Sequence, residues 1–239
     1  MDLNAAEIYD ILVSKEVKGL YHANTVRTSK TFLEQGGVLS RKFVQDNGLL
    51  QTTQKSDDLD KEFGIWDDIF LDAINISKYF STYNKYGPIL FGFKLNLLKS
   101  DSVKTVRITK RNPIYWKKED SIENKYFTST EEFKTKFKSG NKLNDGGYHL
   151  TFTNLKGILP FDHLFGIQID DPGLYILDES GIKKMISERI VDYFSEDLKR
   201  LGIQDTITIQ DNNFLKIQYH LMNKLRIDEF KRLFSRIGQ

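Results

Sequence analysis

The stretch Gly19-Leu-Tyr-His-Ala-Asn-Thr25 carries the strongest structural signal in the chain. A short apolar entry, an aromatic residue and a histidine precede small polar residues, and the segment from Val26 to Arg41 then resembles a helix that stops at Gly36-Gly37. The pattern predicts a strand ending near His22 and a helix capped by Asn24 or Thr25. The positive end of this helix would face an anion beside His22, and pyrophosphate would suit that position.

A second interpretation assigns the same residues to structure alone. Tyr21 and His22 would then be half-buried strand residues, Asn24 and Thr25 ordinary caps, and the glycine pair a helix stop. Short motifs match by accident, so the order of the following segments has to distinguish the two interpretations.

Those segments resemble a known family. The Tyr21-His22 pair, the small polar cluster, the helix, the Gly-Gly stop and Leu39-Ser-Arg41 resemble the amino-terminal NAD-binding part of ADP-ribosyltransferases, particularly the DarT-like toxins that modify nucleic acid. Tyr86-Gly-Pro-Ile-Leu-Phe-Gly-Phe93 is similar to their Pro-containing apolar strand. Tyr148-His-Leu-Thr-Phe152 and the segment from Ile158 to Ile169 are similar to their catalytic and final strands. The resemblance covers roughly residues 18 to 170.

The resemblance implies that NAD is a co-substrate and assigns roles to several residues. His22 would hold the nicotinamide-side ribose, Arg41 would bridge to the pyrophosphate, and Tyr86 or Phe91 would stack on nicotinamide. The other implied contacts to NAD are Tyr21, Asn24, Thr25 and Ser29. His22 and Arg41 would also belong to the catalytic set.

The third catalytic candidate, His149, departs from the family pattern. DarT-like enzymes carry a glutamate on this strand, where a carboxylate can hold a ribose hydroxyl and activate the attacking base. Histidine can also accept a hydrogen bond from a hydroxyl or act as a base. Its presence here resembles the His-His arrangement of other transferases, such as the RNA 2′-phosphotransferases. A single histidine on a strand is often structural, and in that case Glu131 or Glu132 becomes the substitute candidate.

Residues 107 to 118 form the most basic window of the chain. Cationic side chains neutralise phosphates and aromatic rings stack on unpaired bases, so the composition suits single-stranded nucleic acid. The predicted contacts are Arg107, Lys110, Arg111, Tyr115, Trp116, Lys117 and Lys118. The alternative is an exposed strand and loop whose aromatic residues pack inward.

Composition limits the remaining choices. The 239 residues are 39% hydrophobic, which is enough for one large domain or a domain with an appendage. The 35 basic and 33 acidic residues give a net charge of +2, which favours no particular partner. There is no cysteine, and the four histidines lack ligand spacing, so we expect no metal. No run approaches a membrane span, so we expect a soluble, cytoplasmic protein without a membrane partner.

Hydrophobic periodicity predicts an α+β fold with a mixed β-sheet and flanking helices. The resemblance implies that this sheet is the ADP-ribosyltransferase-like split mixed β-sheet. The strands are expected at 67–72, 88–95, 104–110, 148–152, 206–209 and 214–219, and the helices at 3–17, 26–35, 74–86, 129–138, 186–201 and 226–237. The polar segment 44–66 is expected to cover or line a site. Residues 1–172 would form the NAD-binding domain. Residues 173–239 would form an α/β extension packed on it, or belong to the same domain.

These observations favour mono-ADP-ribosyl transfer from NAD to a nucleic acid, either DNA or RNA, by a toxin or anti-phage defence effector. A toxin would need a neutralising antitoxin protein as its partner. Two rivals stay open. One is a non-catalytic module that keeps a nucleotide pocket and binds nucleic acid through residues 107–118. The other is a metal-dependent nuclease toxin with Asp67, Asp68 and Asp72 as magnesium ligands.

Overall fold

The computed structural model describes residues 1–75, 82–138, 149–153, 155–177 and 180–235. Its strands are β1 (Leu3–Asn4), β2 (Leu20–Asn24), β3 (Gly37–Leu39), β4 (Ile69–Asp72), β5 (Ile89–Phe93), β6 (Thr105–Ile108), β7 (His149–Phe152), β8 (Ile158–Pro160), β9 (Leu164–Asp170), β10 (Tyr175–Leu177), β11 (Lys183–Met185) and β12 (Ile207–Gln210). Its α-helices are α1 (Ala5–Ser14), α2 (Val26–Gln35), α3 (Arg41–Asp46), α4 (Asp57–Glu62), α5 (Ile122–Lys125), α6 (Thr130–Lys136), α7 (Ile186–Leu201), α8 (Asn213–Leu225) and α9 (Ile227–Phe234).

The main sheet has eight strands in the order β1-β6-β7-β4-β2-β5-β9-β12. β12 runs parallel to β9, and the other neighbouring strands are antiparallel, so the sheet is mixed. Two small sheets, β3-β8 and β10-β11, lie outside it. This arrangement, with helices flanking the sheet, confirms the predicted α+β class.

The sheet is nearly divided between β2 and β4. These two strands share one residue pair, Tyr21 with Asp72, whereas β2 shares five pairs with β5 and β4 shares four with β7. Beyond that pair a side chain replaces the ladder, because Nδ1 of His22 is 2.8 Å from the backbone oxygen of Phe70. Two four-stranded halves therefore meet at a narrow seam, as the predicted split sheet requires.

Local sequence signals explain the helix that follows β2. The Thr25 hydroxyl accepts a hydrogen bond from the backbone N–H of Thr28, and Gly36 ends α2 in the left-handed conformation that glycine adopts without strain. The apolar face of α2 packs into the core, while Lys30 reaches Asp197 on α7 at 2.5 Å. The cap and the glycine stop were both predicted from the sequence.

Three predictions for local structure are wrong or fall partly outside the described residues. Residues 214–219 were predicted to form a strand but lie within α8, because Asn212 caps a helix that buries Leu215, Tyr219 and Met222 at three- and four-residue spacing. The predicted helix 74–86 is not helical over 82–86, and residues 76–81 lie outside the described residues. Tyr148 and the turn predicted at 142–147 also lie outside them.

The part of the chain after residue 172 contributes to the main sheet. β12 pairs with β9 over four residues and forms the edge of the sheet beyond it. Asp170 on β9 accepts a hydrogen bond of 2.8 Å from Tyr219 on α8, and burial raises the pKa of this carboxyl to about 6. The domain boundary placed at residue 172 stays a prediction. None of the described helices combines the length and apolar character that crossing a membrane would require.

We expect Gly87→Ala to destabilise the protein more than Gly92→Ala. A Cβ atom on Gly87 would lie 1.9 Å from the backbone oxygen of Asn24, and the backbone of a paired strand cannot shift far to relieve the clash. A Cβ on Gly92 would lie 2.6 Å from the ring of Phe165, which is half-exposed and can move. Gly87→Ala should lower the free energy of unfolding by about 1–3 kcal/mol in urea denaturation. An equal or larger loss in Gly92→Ala would contradict this packing.

Candidate active site

A cleft of about 910 Å³, counted to its open mouth, lies at the seam of the main sheet. β2, β4 and β7 supply its floor, and the segment from Gln54 to Ile69 supplies one wall, as was predicted for residues 44–66. The polar and charged residues that line it are His22, Asn24, Arg41, Gln54, Ser56, Asp57, Asp60, Asp68, Asp72, Tyr86, Asn112 and His149.

His22 enters the cleft as a neutral imidazole. A carbonyl oxygen can only accept, so the contact with Phe70 places the proton on Nδ1. Nε2 is then the acceptor for the side-chain amide of Asn24, at 3.3 Å, while the amide oxygen of Asn24 accepts from the backbone N–H of Thr25. Burial lowers the pKa of His22, and the nearby Arg41 lowers it further against the opposing effects of Phe70 and Asp72.

His149 faces the same cleft from β7. It lies directly opposite Asp72 of β4 in the strand register, and its Nδ1 contacts the Asp72 carboxylate. The imidazole is 7% exposed, and its Nε2 is buried without a hydrogen-bond partner among the described residues. A buried ring nitrogen without a partner is unusual in a folded protein and calls for an explanation.

Arg41 is in the cleft, but an acidic side chain already engages it. Its Nη2 lies 2.6 Å from both carboxylate oxygens of Asp57, its Nη1 donates to the backbone oxygen of Thr52, and its guanidinium stacks over Trp66. The bidentate pair neutralises the cation that was predicted to meet pyrophosphate. Asp57 also accepts from the backbone N–H of Gln54, so the Arg41–Asp57 pair anchors this wall of the cleft.

Two other carboxyl groups of the wall hold protons more tightly than usual. Burial raises the pKa of Asp60 to about 6 and that of Asp68 to about 7. Around Asp68, the Arg107 cation opposes this shift, whereas Asp67, Asp2 and Asp60 reinforce it. One carboxylate oxygen of Asp68 is buried without a partner among the described residues.

Arg232 of α9 braces the mouth of the cleft. Its guanidinium donates to the side-chain oxygen of Gln54 at 3.0 Å and to the backbone oxygen of Lys85 at 2.7 Å. Gln54 in turn donates to the backbone oxygen of Tyr86. The Tyr86 hydroxyl accepts from Asn112 on the opposite rim, at 3.4 Å.

Four of the predicted NAD contacts do not line the cleft. Phe91 is fully buried and stacks on Phe161, because β5 is covered on both faces, so its predicted stacking on nicotinamide is wrong. Ser29 is fully buried on α2. The hydroxyl of Thr25 caps this helix and donates a hydrogen bond to the hydroxyl of Thr52, and the ring of Tyr21 packs against Phe165. His22, Asn24, Arg41 and Tyr86 do line it, as does the catalytic candidate His149.

Acidic neighbours compensate most of the basic window. The ion pairs are Arg107 with Asp2, Lys110 with Glu132, Arg111 with Asp120, and Lys118 with Glu62. Trp116 is buried against Tyr126, which corrects its prediction as a stacking platform. Tyr115 is 61% exposed. The nucleic-acid role of the window stays a prediction.

The carboxylates considered for a metal site have different surroundings in the structure. Asp67 accepts from the Ser40 hydroxyl at 2.7 Å, Asp72 pairs with His149, and Asp68 lies on the cleft wall. Within the described residues, no group of three His, Cys, Asp or Glu side chains could hold a metal ion. The substitute catalytic candidates Glu131 and Glu132 do not line the cleft, and Glu132 is bound by Lys110 and Lys136.

Sequence reasoning missed the parts played by Asp72, Asp57 and Asn112. The signal for Asp72 was available in principle, since pairing of β4 with β7 in this register places it opposite His149. No sequence pattern joins Arg41 to Asp57 or Asn112 to Tyr86, because loops bring these side chains together.

No protein-family model matches the chain, and no curated protein matches it. Among solved structures, the chain is similar to "Thermosipho africanus DarTG in complex with ADP-ribose", with 12% sequence identity and a TM-score of 0.42. The alignment covers 82% of this chain and 50% of that one, so the chain spans about half the length of the structure it matches.

We expect Asp68→Asn to stabilise the protein at pH 8 but not at pH 4. The folded pKa lies above the unfolded value, so the folded state holds the proton more tightly, and stability falls as pH rises from about 4 through about 7. Asparagine removes the buried charge, and after discounting for solvent the gain at pH 8 is about 1–2 kcal/mol. Urea denaturation at both pH values measures it, and an equal effect at both would contradict the burial of this charge.

Proposed function

We propose that this protein transfers ADP-ribose from NAD to an acceptor. One observation carries the proposal: the seam of the sheet opens into a cleft in which neutral His22 and the unpartnered Nε2 of His149 face the same space. The sequence resemblance to ADP-ribosyltransferases supports the same reaction.

The two histidines suit different tasks. His22 is neutral and has a fixed tautomer, so its Nε2 can accept from a ribose hydroxyl in place of the Asn24 amide. His149 has an open acceptor, so it can take the proton of an attacking group. In the transfer, the bond from ribose C1′ to the nicotinamide nitrogen breaks and its electron pair leaves with neutral nicotinamide. The acceptor atom bonds to C1′ and gives up its proton.

The charges of the cleft favour one orientation of NAD. Asp68 lines the wall, and in its ionised form, above its pKa of about 7, its carboxylate attracts the cationic nicotinamide ring. The pyrophosphate would lie towards Arg41, which requires Asp57 to exchange its place on the guanidinium. A diphosphate offers anionic oxygens that a guanidinium can bind in place of a carboxylate.

For the acceptor we propose a nucleic acid, DNA or RNA, and a role as a toxin or defence effector that an antitoxin protein neutralises. Exposed Tyr115 can stack on a base, and Lys117 makes no ion pair among the described residues. The neighbouring cations need to leave their acidic partners to meet phosphates. We propose the cytoplasm as the place of action, where NAD and nucleic acid are both available.

The leading rival is a module that binds a nucleotide and nucleic acid without catalysis. It shares the cleft and the basic window but gives His149 no chemical task. The nuclease is the weaker rival, since no group of three His, Cys, Asp or Glu side chains among the described residues could hold a metal ion.

Labelled NAD incubated with separate DNA, RNA and protein pools tests the proposal. We expect transfer to a nucleic-acid pool, and we expect His149→Ala to reduce turnover by about 10²-fold or more at nearly unchanged NAD affinity, because the lost group acts mainly in the transition state. His149→Glu tests whether a carboxylate can replace the imidazole.

His163→Ala is the matched control, since His163 lies at a turn outside the cleft. Wild-type protein that binds NAD without transfer to any pool would favour the binding module. Full activity in His149→Ala would remove this residue from the reaction.

The nucleic-acid proposal has its own test in the basic window. Replacing Arg107, Lys110, Arg111, Lys117 and Lys118 with serine should weaken binding to single-stranded nucleic acid and flatten its salt dependence, because each lost phosphate contact removes roughly one unit from the slope. The slope is measured as the change of log affinity with log salt concentration. An unchanged slope would leave the window as solvated surface.

A further inference from the structure

The contact between Asp72 and His149 joins two strands at the floor of the cleft. We propose that Asp72 is a positioning residue that holds His149 in the one tautomer able to act as a base. This inference rests on the proposed function, since it gives His149 the proton of the acceptor. It adds a second group to the reaction, which acts through the imidazole and does not take that proton.

Backbone geometry fixes the two side chains relative to each other. Asp72 and His149 are directly opposite in the antiparallel pairing of β4 with β7, so their Cβ atoms project to the same face. The other side of His149 is held as well. The backbone N–H of His149 donates to the hydroxyl of Thr109 at 3.1 Å, and the backbone oxygen of His149 accepts from the backbone N–H of Thr109 at 3.0 Å. The strand therefore has little freedom to slide away from Asp72.

The carboxylate determines which ring nitrogen carries the proton. An ionised carboxylate only accepts hydrogen bonds, so the neutral His149 ring that contacts Asp72 through Nδ1 has its proton there. Nε2 then has a lone pair in the cleft. The edge-on ring of Phe70, with centroids 6.2 Å apart and planes at 88°, restrains the imidazole on one side. Among the described residues, Asp72 is the group that contacts Nδ1 and so selects this tautomer.

The comparison with His22 shows why His149 is the base. Both rings carry a proton on Nδ1, through Phe70 O in one case and Asp72 in the other. Nε2 of His22 already accepts from Asn24, whereas Nε2 of His149 is buried without a partner. A group with an open acceptor and a fixed tautomer is suited to remove a proton, as in other sites where a carboxylate orients a histidine base.

Nitrogen-15 NMR of the imidazoles at pH 8 tests the inference without any turnover. In the wild-type protein we expect His149 to carry its proton on Nδ1. In Asp72→Asn, the amide can present its N–H groups to the ring, and the proton should move to Nε2. A proton on Nε2 in the wild type, or an unchanged tautomer in Asp72→Asn, would overturn the inference. The wild-type result decides even when the variant does not fold.

Kinetics of nicotinamide release supply the second readout. Asp72→Asn should lower kcat by about 10²- to 10⁴-fold while the directly measured affinity for NAD changes less than about threefold, because the wrong tautomer affects the proton transfer. The control is Asp192→Asn, the same isosteric change at an exposed ion pair with Lys184. Parallel losses of kcat and affinity in Asp72→Asn would indicate a merely structural role and would overturn the inference.

The two readouts also separate this inference from the proposed function. Wild-type protein that releases no nicotinamide but has the expected tautomers would refute the reaction and leave the positioning of His149 by Asp72 established. Normal nicotinamide release together with a proton on Nε2 of His149 would support the reaction and refute the positioning of His149 by Asp72.

Discussion

The single residue pair between β2 and β4 is the constraint on which the structure depends. Tyr21 and Asp72 join two four-stranded halves, and the next link is a side chain, His22, whose proton bonds to the backbone oxygen of Phe70. A continuous ladder here would close the sheet and leave no room for a cleft. Because the strands diverge after one pair, backbone and side-chain groups of both halves face the same cavity. The half-buried ring of His22 donates a hydrogen bond to the carbonyl of Phe70, which has no strand partner there.

The same divergence explains the electrostatics of the site. Groups at the seam are removed from water by the two halves and by the wall from Gln54 to Ile69, so burial lowers the pKa of His22 and raises the pKa values of Asp60 and Asp68. The wall therefore carries carboxyl groups that hold their protons more tightly than usual, and His22 loses its proton more readily. Arg41 offsets this acidity only towards the wall, where Asp57 already binds it. Groups with shifted pKa values in one cleft are typical of functional sites.

The sequence predicted what short-range chemistry determines. The cap at Thr25, the glycine stop at Gly36 and the helix ended by Gly202 follow from local rules, and the structure shows all three. The prediction of secondary structure failed where the hydrophobic pattern fits both the period of a strand and that of a helix. Residues 214–219 alternate like a strand, yet Leu215, Tyr219 and Met222 also fit a helical face, and packing against the core selected the helix. Phe91 failed for another reason: an aromatic residue on an apolar strand gives no sign of which side is covered. The Arg41–Asp57 contact depends on loop geometry, which residue spacing does not encode.

The bracing of the cleft by Arg232 has a thermodynamic consequence. Its guanidinium bonds both to Gln54, which lines the cleft, and to the backbone oxygen of Lys85, next to the cleft residue Tyr86, while the rest of α9 packs into the core through Phe230, Leu233 and Phe234. Widening the mouth therefore breaks bonds that also hold α9 in place. The two sites are linked, and by reciprocity whatever strengthens one strengthens the other. A molecule that binds across Gln54 and Tyr86 would slow hydrogen exchange in α9, and a protein that pulls α9 from the core would loosen the mouth without touching it.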